Sequence, residues 1–108
     1  MRPPPPRPDY LTGDHVGGAL TVAGDVLTMT GEIDYDLTTR WQAEHDPTLL
    51  GIQTIDTSAV TFLGSSGLRL ISQVTRATDL PVVLRGASPM THAVLVISGL
   101  DRLLVLKD

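Results

Sequence analysis

A chain of 108 residues holds one small hydrophobic core, which excludes a multidomain enzyme. Apolar residues make up 42%, charged residues 19% and aromatic residues only 4%, so the chain folds around aliphatic side chains and has few rings for base- or sugar-stacking platforms. Twelve acidic against eight basic side chains give a net charge of −4, the wrong sign for binding nucleic acid by counterion release. Without cysteine there is no disulfide, thiolate nucleophile or Cys-based zinc site, and no run approaches the ~18 apolar residues of a membrane-spanning helix. A soluble, cytoplasmic domain without membrane insertion is expected.

Residues 1–17 hold five of the eight prolines and read as a flexible, polyproline-like tail running into a loop. Ala19 to Thr30 alternates with period two on either side of Gly24-Asp25, which predicts an antiparallel hairpin whose second strand Gly31 breaks. Tyr35 to Asp46 reads as a short helix through the Leu37/Trp41 spacing, stopped by Pro47. Leu49 to Asp56 is an apolar run of strand length. Arriving after a helix, it is most economically parallel to the strand before it.

Thr57 to Gly64 reads as a connecting loop, and Ser65 or Ser66 as the cap of a second helix. That helix carries two adjacent apolar rows, Leu68/Ile71/Val74 and Leu70/Val74/Ala77. Pro81 to Arg85 predicts a short strand. Ser88-Pro89 predicts a capped helix start, with Met90, Ala93, Val94 and Ile97 as the buried stripe and Gly99 as the left-handed cap. Leu103 to Leu106 is the last strand. The order β-β-α-β-α-β-α-β predicts an α/β fold in which residues 18–108 form one domain, a mixed sheet with an N-terminal hairpin and helices packed on it.

Catalytic signatures fail on spacing. A nucleophile elbow needs glycine two residues before and two after its serine; Ser66 has Gly64 but then Leu68, and Ser65 has Gly67 but Leu63. His15, His45 and His92 have no spacing that implies a general base or a metal pair, and Glu32, Asp34 and Asp36 are more simply charges at a helix N-terminus. Gly64-Ser65-Ser66-Gly67 lacks both the lysine of a phosphate loop and dinucleotide-binding spacing. What remains is a serine pair at the mouth of a helix. A phosphate there keeps the helix intact yet adds nearly two negative charges to one patch, enough to repel an acidic or apolar partner surface.

Val60-Thr61-Phe62-Leu63-Gly64-Ser65-Ser66-Gly67-Leu68, following Ile55-Asp56, resembles the signature of STAS domains, and of bacterial anti-anti-sigma factors (anti-sigma factor antagonists) in particular. Gly31-Glu32-Ile33-Asp34 before a helix is similar to the family's second-strand exit, and Ser88-Pro89 through Ser98-Gly99-Leu100 to its third helix and cap. The resemblance implies partner switching. The unphosphorylated antagonist binds an anti-sigma factor, a serine kinase of histidine-kinase-like fold, and frees a sigma factor for transcription; phosphorylation ends the binding and a phosphatase restores it. The matching serine is Ser65, with Ser66 as second choice and as the helix cap beside it. Asp34 matches the acidic residue of the loop beside that site, and Asp34, Gly64, Ser65, Ser66, Gly67 and Arg69 are the implied partner-binding residues, together with the exposed side of helix 66–78. No cofactor and no reaction are implied.

Two departures from the pattern stand out. Gly64 occupies the place where many members carry aspartate before the phosphorylated serine, which favours a second reading: a constitutive STAS subunit gripping the ATPase of a phospholipid-trafficking ABC transporter. The family's fourth, C-terminal helix is missing after Asp108, which would leave one sheet face less covered and favour self-association as a homo-oligomer.

Overall fold

Residues 17–108 are described by the computed structural model, so the reading of residues 1–16 as a tail lies outside the described residues. Strands β1 (Gly18–Ala23) and β2 (Val26–Ile33) form the predicted hairpin, with Ala23 opposite Val26 across Gly24-Asp25. Helix α1 (Tyr35–Gln42), strand β3 (Thr54–Leu63), helix α2 (Ser65–Arg76), strand β4 (Val82–Arg85), helix α3 (Pro89–Ser98), a one-turn 3-10 helix (Leu100–Arg102) and strand β5 (Leu104–Lys107) complete the order. The sheet runs β1-β2-β3-β4-β5, antiparallel at the hairpin and parallel thereafter, so the predicted α/β class and mixed sheet hold.

Register explains why one sheet face becomes core. Val22, Leu27, Ile55, Leu84 and Leu106 stand in one cross-strand row and belong to, or pack on, a single apolar cluster with Trp41 of α1, Leu70, Ile71 and Val74 of α2, and Leu95 of α3. All three helices therefore lie on that face, as successive right-handed crossovers stepping the same way require. The adjacent row, Thr21, Thr28, Asp56, Arg85 and Lys107, points to the opposite face, outside the cluster.

Five local readings are corrected. Strand β3 begins at Thr54, not Leu49, and the predicted loop 57–64 is mostly strand. Thr57 misleads because its hydroxyl looks solvent-seeking; it is buried and donates to the Arg85 carbonyl at 2.9 Å. Ser58 closes on Asp56 at one of two register shifts against β2, while Leu49 sits in a turn and is exposed. Helix α1 stops at Gln42, well short of Pro47. The Trp41 carbonyl accepts both Glu44 N–H at 3.1 Å and His45 Nδ1–H at 2.9 Å, and the imidazole stacks on the indole with centroids 4.6 Å apart.

Gly31 bends β2 without ending it. Its φ of +71° accompanies a register shift, and β2 runs on to Ile33 beside Leu63. In α3 the predicted cap residues hold: Ser88 Oγ accepts Thr91 N–H at 3.1 Å, Pro89 opens the helix and Gly99 ends it at φ +81°. The predicted stripe does not. Thr91 and Leu95 are buried, whereas Met90, Ala93 and Ile97 are exposed. Both sides of this helix are apolar, so periodicity cannot select between them; Thr91 goes inward because Ser88 donates to its hydroxyl at 3.2 Å.

Asp56 yields a pH-dependent prediction. Its Oδ1 accepts the Ser58 hydroxyl at 2.6 Å and the Ser58 N–H at 2.9 Å, and these bonds, with Arg85 alongside, hold its pKa below the ordinary 3.8 against a small opposing cost of burial. A carboxylate whose pKa is lower folded than unfolded stabilises the fold above the unfolded value and loses that contribution as pH falls through the folded one. An NMR titration of the Asp56 carboxyl is expected to give a midpoint below 3.8 that moves upward in Ser58→Ala.

Candidate functional site

The two strand exits meet at one end of the sheet. Ile33 and Leu63 are paired, and Gly64 N–H donates to the Ile33 carbonyl at 3.0 Å, so the start of α1 and the start of α2 lie side by side. Asp34 caps α1, its Oδ1 accepting Leu37 N–H at 2.9 Å. Gly64 caps α2 in an extended conformation with no side-chain bond, its carbonyl accepting Leu68 N–H at 3.1 Å. This corrects the expectation that Ser65 or Ser66 caps the helix. The helix begins at Ser65, directly after the Gly64 cap, so both serines already lie in its first turn.

That shift leaves the Ser65 side chain exposed and Ser66 half-buried, neither serving as the cap. The first-turn N–H groups of α2 point toward the same surface with the positive end of the helix dipole, a setting that tolerates negative charge. Between α1 and α2 runs an open groove of about 770 Å³ whose walls include Tyr35, Thr39, Ser65, Ser66, Arg69 and Gln73. Gln42 Nε2 donates to Gln73 Oε1 at 2.7 Å and ties the two walls together. Among the described lining residues, Arg69 is the one charged side chain, so the groove is polar and locally positive within an acidic protein.

Of the expected partner-binding residues, Ser65, Ser66 and Arg69 share this groove, and Asp34 and Gly64 are the helix caps immediately before its lining residues Tyr35 and Ser65. Gly67 does not join them. It is buried under α2, where an added Cβ would come 2.5 Å from Leu63 Cδ1 and 3.0 Å from Ile33 Cγ2, so its role is close helix-to-sheet packing. Gly67→Ala gains up to ~1 kcal/mol of helix propensity but incurs overpacking of about 1–3 kcal/mol, and a net loss of roughly 1–2 kcal/mol is expected in urea unfolding. The sequence reading missed the α1 wall. Tyr35, 72% exposed beside the Asp34 cap, was the available signal, because an exposed ring is unusual in a chain this poor in aromatics.

Asp46 and Asp56, the carboxyls with lowered pKa, are held by their own Thr48 and Ser58 turns, and neither lines the groove. Among the described residues no three His, Cys, Asp or Glu side chains converge, and no helix is long and apolar enough to cross a membrane.

The family model described as "Mlab, STAS domain" matches residues 16–106. No curated protein matches the chain. Among solved structures, the anti-sigma factor antagonist SpoIIAA in its unphosphorylated form is similar at a TM-score of 0.56 and 18% identity, covering 85% of this chain and 88% of that one. The likeness is one of fold. With the family model spanning nearly all the described residues, this chain belongs to the STAS domain family.

Proposed function

We propose that the domain is an anti-sigma factor antagonist. It binds an anti-sigma factor of histidine-kinase-like serine kinase fold through the α1–α2 groove, so releasing a sigma factor for transcription, and phosphorylation of Ser65 ends the binding until a phosphatase reverses it. The domain acts by binding in the cytoplasm, with no cofactor and no reaction of its own; ATP belongs to the partner. The observation that carries the reading is the position of Ser65, exposed in the first turn of α2 on the wall of a groove that also holds Arg69 and Tyr35. A phosphate there changes the charge of a docking surface without disturbing the core. Ser66, half-buried, is the second choice. The fold likeness to an anti-sigma factor antagonist supports the same assignment.

The test is affinity capture from the native cell with wild-type, Ser65→Ala and Ser65→Asp chains as baits, read by mass spectrometry. A serine kinase retained by wild type and Ser65→Ala but lost with Ser65→Asp is the expected result. Gly64 and the Mlab description of the family model favour one other reading, a constitutive STAS subunit of a phospholipid-trafficking ABC transporter. Retention of one transporter ATPase by all three baits would select it.

A further inference from the structure

Helix α2 carries one short pattern twice. Serine and arginine stand four residues apart at Ser65/Arg69 and again at Ser72/Arg76, seven residues further on, so the two pairs lie on nearly the same face of the helix. In the second pair the arginine reaches back: Arg76 Nε–H donates to Ser72 Oγ at 2.9 Å. In the first pair both side chains are exposed and both line the α1–α2 groove, where Arg69 is the one charged side chain among the described lining residues. Residues at i and i+4 are neighbours on a helix surface, and an anion at the N-terminal position of such a pair with a cation after it is the favourable order.

We propose that Arg69 is the receptor of a phosphate on Ser65, folding back along α2 as Arg76 does toward Ser72 and pairing with two of the phosphate oxygens. This rests on the reading of Ser65 as the phosphorylated residue. A serine hydroxyl offers an arginine a single acceptor atom, whereas a phosphate projects three acceptor oxygens and nearly two negative charges from the same side chain. The planar guanidinium fork matches two of those oxygens. Reach is adequate, because the Ser72–Arg76 bond closes the same four-residue span on a bare serine.

The consequence is a switch with two effects at once. In the unmodified chain the Arg69 guanidinium is open to an anionic group of a docking partner, since the groove is locally positive within an acidic protein. In the phosphorylated chain the phosphate occupies that guanidinium, so the partner's anion loses its counter-charge and meets a new charge of its own sign. Two carboxylates stand at the start of α1. Asp34 is held by its own helix, its Oδ1 accepting Leu37 N–H at 2.9 Å, and Asp36 is exposed in the first turn.

Phosphorus NMR of the full chain carrying phosphoserine at position 65, installed during translation, tests the pairing without any partner. The readout is the second ionisation of the phosphate, ordinarily at about 6, which a paired cation lowers by favouring the dianion. Arg69→Gln is expected to move the midpoint upward by about 0.3–0.6 in pH, a two- to fourfold change in the dissociation constant of the proton, as suits an exposed, charge-assisted pair. Arg76→Gln removes an equal charge from the same helix about 16 Å from position 65, beyond the screening length at physiological salt, and is expected to leave the midpoint in place. Asp34, Asp36 and the helix dipole act alike in all three chains and cancel from the comparison. An Arg69→Gln midpoint equal to that of wild type overturns the proposal, and so does an equal rise in Arg76→Gln, which would make the effect one of net charge. Either result leaves the capture experiment standing, and a partner that ignores Ser65 there leaves the phosphate–Arg69 pair measurable here.

Discussion

Replacing Ser65 with aspartate is expected to raise the stability of the domain slightly while removing its partner. Position 65 is the first residue of α2, and neither it nor Ser66 is the cap, so the substitution breaks no capping bond. A carboxylate in the first turn interacts favourably with the helix dipole, by about 0.3–1 kcal/mol at an exposed position. The same charge stands on the groove wall facing the proposed partner, where an unmatched anion at a desolvated contact costs several kcal/mol. Affinity is expected to fall by at least roughly 100-fold, equivalent to about 2.7 kcal/mol, with the melting temperature level or higher. Calorimetric titration of the captured partner and a thermal melt of the free variants separate the two effects. A Ser65→Asp chain that loses partner and stability together would mean that the substitution acts by unfolding.

Gly31→Ala is expected to be among the most destabilising small changes in the chain. The residue holds φ +71°, where an L side chain is strained by about 1–3 kcal/mol. A Cβ there would also come 2.4 Å from the Gly17 carbonyl oxygen and 3.0 Å from Gly18 Cα. Those neighbours are backbone, so relief requires β1 to move away from β2 rather than a rotamer change. A total loss of about 2–4 kcal/mol follows, lowering the urea midpoint by roughly 1–2 M. Gly51→Ala is the control, because Gly51 has a similar φ of +66° with nothing near its missing Cβ. It is expected to show the strain without the clash, and equal losses at both positions would refute the close-approach argument.

Order and type of the strands and α-helices were legible in the sequence because each rests on a local rule, whereas the one-turn 3-10 helix after Gly99 was not. The hairpin follows from alternation around Gly24-Asp25, and α3 from the Ser88-Pro89 start and the Gly99 stop. The boundaries of β3 were not legible. Leu49 to Ile52 looks like a strand by hydrophobicity, yet the Asp46 turn directs it elsewhere, and Thr57 enters the core only because the Arg85 carbonyl on a neighbouring strand accepts its hydroxyl. The face of α3 was undecidable for a related reason, since its outer row is as apolar as its inner one.

The candidate site divides the same way. Residue type and spacing alone determined that the Ser65-Ser66 pair opens a helix and that Gly64-Ser65-Ser66-Gly67 fits neither a nucleophile elbow nor a phosphate loop. Tertiary structure decided that Gly64 rather than a serine caps that helix, that Gly67 is packing and not contact, and that Tyr35, Thr39 and Gln42 form the second wall of the groove. The physical reason is parallel pairing. A bond from Gly64 N–H to the Ile33 carbonyl brings together two strand exits thirty residues apart in the chain, and which side chains meet there depends on a register that includes two shifts no local pattern announces.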